Sequence, residues 1–378
     1  MSDTPRQPIP MPDSTHVKRM LDRAARAAMR AVGDAEPNPL VGCVLERGGA
    51  VIGIGHHKVF GGLHAEREAL GDCRRRGIDP RGATMYCTLE PCCHHGKQPP
   101  CTEAVIEAGL ARVIFARPDP ADVSRGGGAI LRNAGIDARC VDCSPLATYL
   151  SDPFVHHVRS GLPWVIAKWA QTIDGRIATR TGASQWISGA LMRRRVHRLR
   201  ARVDAVVVGR GTVLADDPRL TPRDIRRVRR QPARVILDSE GKTPHEATLI
   251  ATSDVTPTVV ITANPDASFP PGVRRITVGR AGAGVDLLAA MRALHEEMGV
   301  ATVLVEAGPR VLGSMIEAGL IDEAFVHIAP MVLGDAEALP AATGRVAPSL
   351  TDAGRFGLVR AKALGGDIEL HYRRSLEP

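Results

Sequence analysis

The stretch LEPCCHHGKQPPC, residues 89 to 101, places three cysteines and two histidines close together, and His64-Ala65-Glu66 lies upstream after the turn FGGL. A metal ion that hydrolyses needs about three protein ligands and one position kept for water. Such an ion lowers the pKa of its water from about 15.7 to about 7. A carboxylate beside that water, not itself a ligand, can then shuttle protons. His64, Cys92 and Cys101 offer an imidazole and two thiolates, a set that suits zinc. Glu66 offers the shuttle. Cys93 is set aside, because adjacent side chains do not both face one ion. His94 and His95 are also left off, because a fourth protein ligand would close the site.

The elements that must position these groups follow from the local pattern. A helix is expected from Ser14, as N-cap, to a stop at Gly33. LVGCVLERGGAVIGIG reads as two strands around a Gly-Gly turn, and HAEREALGDCRRRG as a helix. ATMYCTL is a strand, CTEAVIEAG a helix, RVIFA a strand, GGGAILRNAG a helix and IDARCV a strand. This alternation predicts a three-layer α/β domain. DPFVHHVRSGLP reads as a link. After it, WVIAKWAQTIDGRIA, DAVVVG, ARVILD, TLIAT, TVVIT, RRITVG, ATVLVEAG, DEAFVHIAP and DIELHYRR read as strands. GALMRRRVHRLRARV, DLLAAMRALHEEMG and PRVLGSMIEAG read as helices. The expected division is a disordered leader over 1–14, one domain over 15–155 and a second α/β domain over 162–378.

Composition narrows the function. The chain has 378 residues, 44% of them apolar, enough for two cores. Aromatics are 3%, too few for a surface that stacks single-stranded bases. The formal charge of +8 suits a phosphorylated small molecule as well as a nucleic acid. No apolar run is long enough to cross a membrane. The proline-rich start MSDTPRQPIPMPDST has no apolar h-region. All eight cysteines lie between Cys43 and Cys143, so a reducing cytoplasm is expected rather than a disulfide framework. The pair Cys140 and Cys143 has CxxC spacing without a second pair and reads as incidental.

In the second half, Gly209 and Gly211 follow a buried strand, and Glu306 and Gly308 stand between a strand and a helix start. Such turns let backbone N–H groups approach a phosphate, although they are also common for steric reasons alone. GRAGAG at 279–284 lacks dinucleotide spacing, and GIG at 53–55 lies in a hairpin pattern. Both read as turns.

The His-x-Glu and Pro-Cys pieces match the pattern of zinc nucleobase deaminases, except that eight residues rather than two separate Cys92 from Cys101. PNPLVGC, HAE, TLEPCCHHGKQPPC and ARVIFARPDP resemble the deaminase half of the bifunctional riboflavin-biosynthesis deaminase/reductase family, which carries this lengthened loop. AKWAQTIDGRIA, SQWIS, VGRGTVLADDPRLTPR and VEAGPRVLGSMI are similar to its reductase half. The resemblance covers nearly the whole chain. Leu63 stands where the family usually has Pro, and Cys93 where it often has Ser.

The resemblance implies a cytidine-deaminase-like three-layer domain followed by a dihydrofolate-reductase-like α/β domain. It implies one zinc held by His64, Cys92 and Cys101, with Glu66 as proton shuttle. Asn38 would bond the pyrimidine ring, with His57, His95 and Lys97 as further candidates for substrate contact. NADPH would lie along Ala170, Trp186, Thr212, Asp216 and the turn Gly308, Pro309, Arg310, Val311, Leu312, Gly313, Ser314. Ser184, Arg200, Leu220, Arg223 and Glu306 would meet the substrate, and Lys168 would stand near the reacting carbon. Most arginines of MRRRVHRLRARV read as a solvated helix face, with Arg200 the exception as a planar donor for the phosphate. The implied chemistry is deamination of a phosphorylated diamino-pyrimidinone ribosylamine, then reduction of its ribosyl group. A cytoplasmic homo-oligomer, dimer or tetramer, acting on neither nucleic acid nor membrane is expected. Two other classes fit part of the pattern. A tRNA or nucleoside deaminase would share HAE and Pro-Cys but not the long loop or the second half. A zinc-stabilised nucleic-acid-binding protein would need four ligands and a basic face.

Overall fold

A computed structural model of the chain describes residues 10–344, 347 and 349–374. Of the leader expected over residues 1–14, residues 1–9 lie outside the described residues. The chain divides into two compact units at Arg159/Ser160. No helix among the described residues is long and apolar enough to cross a membrane.

The first unit runs α1 (Ser14–Ala28), β1 (Gly42–Arg47), β2 (Ala50–His56), α2 (Ala65–Arg75), β3 (Thr84–Cys87), α3 (Cys101–Glu107), β4 (Arg112–Phe115), α4 (Gly127–Asn133), β5 (Asp137–Cys140) and α5 (Pro145–Ser160). Its sheet has the order β2-β1-β3-β4-β5. β1 is antiparallel to β2 and β3, while β3, β4 and β5 are parallel. Side chains alternate across it. Cys43, Leu45, Met85, Val113 and Phe115 face α2, α3 and α4, while Val44, Tyr86 and Ile114 face α1 and α5. Three layers result. α1 is seated because Val17, Met20, Leu21, Ala24 and Ala28 recur at helical spacing and are buried. Its N-cap is Asp13 rather than Ser14, since the Asp13 carboxylate accepts the His16 amide at 2.9 Å. The stretch read as a link is the second half of α5. Leu150 and Val155 give it a buried face, and Arg117 binds Asp152 at 2.7 Å. Pro153 and Gly161 masked this helix in the sequence.

The second unit runs β6 (Trp164–Thr172), β7 (Arg176–Ala178), α6 (Ala190–Arg200), β8 (Ala205–Gly209), α7 (Arg210–Asp216), β9 (Ala233–Leu237), α8 (Thr248–Ala251), β10 (Thr258–Thr262), β11 (Val273–Thr277), β12 (Arg280–Ala281), β13 (Gly284–Val285), α9 (Leu287–Met298), β14 (Thr302–Val305), α10 (Pro309–Glu317), β15 (Glu323–Ala329), β16 (Leu339–Pro340), β17 (Gly357–Leu364) and β18 (Asp367–Arg373). Nine strands form one sheet, β11-β10-β9-β8-β14-β6-β15-β18-β17. It is parallel from β11 to β15, and β18 and β17 close it antiparallel. The central strands AVVVG, ARVIL, TVVIT and TVLV are buried throughout, as parallel strands covered on both faces must be. One face packs on α9 and α10 through Met291, Leu294, Leu312 and Met315. The other packs on α6, α7 and α8 through Leu199, Val213, Leu249 and Ile250.

Further segments of the second unit differ from the sequence reading. TLIAT, expected as a strand, is the short helix α8. The Asp217 carboxylate accepts the Thr248 amide at 2.8 Å and its hydroxyl at 2.6 Å. At the other end, the buried Arg234 guanidinium donates to the Leu249 and Thr252 carbonyls at 3.0 and 2.9 Å. Distant partners thus cap a segment whose composition favours a strand. The edge strand β17 was unread because its residues are exposed almost throughout, which erases the alternation that marks a half-buried strand.

Gly42 sits where β1 passes beneath α1. A Cβ there would lie 1.9 Å from the Ala24 carbonyl oxygen. Gly42→Ala is therefore expected to force α1 off the sheet and destabilise the first unit by about 3 kcal/mol, read as a lowered midpoint in urea unfolding.

Candidate active sites

The first site is assembled where chain leaves the sheet of the first unit. β2 ends at His56, and the loop behind it delivers His64, which caps α2 in extended conformation. Glu66 follows within the first turn and is buried. Beyond β3 the chain delivers Cys92, and Cys101 opens α3. His64 Nδ1 lies 3.4 Å from both Cys92 Sγ and Cys101 Sγ. One ligand atom from each of the three residues lies within 4.8 Å of the others. An imidazole nitrogen and two sulfurs so gathered match a tetrahedral zinc with one position open.

Electrostatics fit that use. Burial pushes Glu66 up to about 7, with Cys92 reinforcing and His64 opposing the shift. The Cys101 hydrogen bond, against the effect of burial, pulls the Cys92 thiol well down, and the same bond pushes Cys101 up. Cys93 points elsewhere, its sulfur donating to the Ser124 and Arg125 carbonyls at 3.4 and 3.1 Å.

Asn38 is oriented by His57. His57 Nδ1 lies 3.0 Å from the Leu63 carbonyl, so that nitrogen carries the proton. Nε2 is then an acceptor, and the Asn38 amide nitrogen donates to it at 3.1 Å. The Asn38 oxygen is thereby left for a ligand. In the long loop, Lys97 stands 4.0 Å over the Phe60 ring and His95 is exposed, 3.6 Å from Glu103. The carboxylate of Glu90 was missed in the sequence. It accepts the Gly128 amide at 2.8 Å and the Asp119 amide at 3.1 Å, fixing the chain just before Cys92. Gly127 lets α4 close on this turn, since a Cβ there would meet the Pro91 carbonyl oxygen at 1.9 Å.

In the second unit, Lys168 stands half-buried on β6. Burial pushes its ammonium down, with Glu306 opposing and Arg200 adding. Glu306 follows β14, and its carboxylate takes Arg200 Nε at 2.6 Å and Nη2 at 2.9 Å. Burial alone would raise Glu306, but the Arg200 charge and hydrogen bonds hold it below the usual range. Arg200 is thus engaged by a carboxylate, while Arg223 beside it is exposed and has no hydrogen-bond partner among the described residues. Leu220, buried and in the left-handed region at φ 56, turns the loop toward Arg223.

Ser184 donates to Asp216 at 3.1 Å. Thr212 accepts the Gly308 amide at 3.2 Å, joining the turns after β8 and β14. Gly308 opens α10 with Pro309 in its first turn and no side-chain cap, which leaves the amides ahead of Arg310 and Val311 to an anion such as a dinucleotide phosphate. Leu312 packs inward, and Gly313 and Ser314 continue the helix. Ala170 lies on β6 opposite His327. Trp186 is exposed, its ring beneath Arg193 at 4.7 Å.

His197 was hidden in the arginine run read as a solvated face. It is buried, and its Nδ1 has no hydrogen-bond partner among the described residues. Burial first, then the charges of Arg200 and Arg223, push it down to about 4. The only sequence signal was its place three residues before Arg200, on the same helix face.

Within the first unit, residues 14–117 match the family described as the cytidine and deoxycytidylate deaminase zinc-binding region, and within the second, residues 163–369 match the RibD C-terminal domain. The chain is 36% identical over 375 residues to riboflavin biosynthesis protein RibD of Actinobacillus pleuropneumoniae, covering 96% of this chain and 98% of that one. It is 36% identical over 362 residues to the RibD protein of Aquifex aeolicus, covering 94% and 98%. Among solved structures, a diaminohydroxyphosphoribosylaminopyrimidine deaminase/5-amino-6-(5-phosphoribosylamino)uracil reductase from Thermotoga maritima superposes with a TM-score of 0.84 at 33% identity, covering 96% of this chain and 99% of that one. Acinetobacter baumannii RibD superposes with a TM-score of 0.82 at 32% identity, covering 96% and 99%.

A histidine whose folded pKa is depressed binds fewer protons folded than unfolded, so its contribution is present above the unfolded value and lost as pH falls. For His197 the window runs from about 6.5 down to about 4. Acidification from pH 7 to pH 5 is expected to lower the unfolding midpoint of the second unit less in His197→Gln than in the native chain.

Proposed function

The chain belongs to the RibD family of bifunctional riboflavin-biosynthesis enzymes, and from that premise we propose which of its residues perform each step. The family activity is a zinc-dependent deamination of a phosphorylated diamino-pyrimidinone ribosylamine, followed by an NADPH-dependent reduction of the ribosyl group of 5-amino-6-(5-phosphoribosylamino)uracil to ribityl. The observation that carries the assignment is the convergence of His64, Cys92 and Cys101 beside a buried carboxylate.

In the first site, His64, Cys92 and Cys101 hold the ion. Zinc, when bound, supplies the Lewis acidity that makes water nucleophilic near neutral pH. Glu66, held near neutrality by its burial, takes a proton from the attacking water and returns one to the departing amino group. Asn38, its amide nitrogen fixed on His57, presents its oxygen to a ring N–H. Lys97, on the loop whose length sets this deaminase apart, stands over the Phe60 ring and is a candidate for the substrate phosphate, as is the exposed His95.

In the second site, the cofactor supplies the hydride. Ala170, Trp186, Thr212, Asp216 and the opening of α10 position it. Lys168 and Glu306 hold the ribosyl end of the substrate, and Arg200 orients Glu306 through its paired hydrogen bonds. Arg223, with no hydrogen-bond partner among the described residues, takes the substrate phosphate, and Ser184 and Leu220 complete the wall. Assembly as a homo-oligomer is supported by the open edge strand β17, where Leu358 and Val359 are exposed. A cytoplasmic setting is supported by eight cysteines that are all free thiols.

Glu66→Gln is expected to reduce ammonia release about a thousandfold while leaving NADPH oxidation with the deaminated substrate unchanged. Deamination at the native rate would overturn the Glu66 assignment. Stripping the metal with a chelator is expected to give the same split, with deamination restored by added zinc and reduction untouched throughout.

A further inference from the structure

The second unit carries a group of cations that the assigned residues do not use. Arg210 follows β8, and Lys242 lies in the turn after β9. Arg210 Nε donates to the Lys242 carbonyl at 3.2 Å, which ties the two strand ends together. Among the described residues, neither the terminal guanidinium nitrogens of Arg210 nor the Lys242 ammonium has a hydrogen-bond partner. Arg280 joins them across the same turn, paired with Glu240.

The carboxylates nearby are already engaged. Asp238, at the end of β9, is buried. It accepts the Glu240 and Gly241 amides at 3.3 and 3.1 Å and the Thr243 hydroxyl at 2.7 Å, with Arg210 Nε 4.0 Å away. In dinucleotide sites that take NADH, an acidic residue beyond a strand accepts the ribose 2′-hydroxyl. Asp238 stands at the comparable place but is turned inward and saturated, and Glu240 is held by Arg280. The surface left to a ribose is cationic.

The sheet order places this group at the correct distance. In the reading above, the reacting end of the cofactor lies at Lys168 and Ala170 on β6, and its phosphates lie at the turns after β14 and β8. The order β9-β8-β14-β6 makes three strand steps from the reacting end to β9, roughly 14 Å, which is about the span of an extended dinucleotide. The adenosine ribose then falls over the ends of β8 and β9.

We propose that Arg210 and Lys242 form the pocket for the 2′-phosphate of NADPH and set the preference of this unit for NADPH over NADH. The inference rests on the cofactor assignment above. Arg210 supplies a planar donor with its fork free, suited to a phosphate monoester, and Lys242 a second charge on its open side.

Binding tests it without catalysis. Dissociation constants for NADPH, NADH, adenosine 2′,5′-bisphosphate and AMP are measured on the full chain by titration calorimetry. Native protein is expected to prefer the bisphosphate to AMP. Arg210→Gln and Lys242→Gln are each expected to weaken NADPH and the bisphosphate about tenfold, leaving NADH and AMP within twofold. Lys242 is exposed, so its variant reports even where Arg210→Gln loosens the turn. NADPH and NADH weakened in parallel, or NADPH unchanged in the Lys242 variant, overturns the proposal. Native protein that binds neither dinucleotide overturns the cofactor assignment beneath it.

Discussion

Parallel strands impose one constraint on which both sites depend. All carboxyl ends of a parallel run emerge at the same edge, and each must turn there into a helix or loop. In the first unit, β3, β4 and β5 share that edge, and the chain after β3 carries Cys92. In the second, β8, β9 and β14 share theirs, and the residues that follow them include Thr212, Asp238, Glu306 and Gly308. The saturated interior strands fix these exits in space, so the chemistry is placed by backbone hydrogen bonding before any side chain is considered.

Against that frame, the two units treat a buried carboxylate in opposite ways. Glu66 has the Cys92 and Cys101 sulfurs beside it and no Arg or Lys partner among the described residues, so burial prevails and its proton is held near neutral pH. Glu306 is largely buried too, but Arg200 grips it with two hydrogen bonds and it remains charged. One group is suited to passing a proton and the other to holding a fixed charge. The difference is set by a single guanidinium rather than by the residue type.

The convergence of His64, Cys92 and Cys101 was legible in the sequence because it rests on residue types, order and spacing, and because the long Cys-x8-Cys loop distinguishes it from shorter-loop patterns. The central strands were legible because full burial writes itself as continuous Val and Ile. Other features depended on distant partners. α8 required Asp217 and Arg234 to hold it, and α5 was obscured by Pro153. His197 looked like part of a solvated face because nothing in an arginine-rich helix shows which side meets Glu306. Asn38 and His57 could be singled out by resemblance, but the direction in which the amide points follows only from the Leu63 carbonyl.

The three residues that would hold the metal, His64, Cys92 and Cys101, are separated along the chain by 28 and 9 residues. An ion that joins them closes two loops at once, and the entropy of closing those loops is withheld from any unfolded chain that lacks it. The free energy of ion binding is then folding free energy for the first unit, which makes its folded population follow metal supply by mass action. The second unit has no such tie. Under metal scarcity the two halves of one polypeptide would age at different rates, and turnover of the whole chain would be set by the half that had lost its ion.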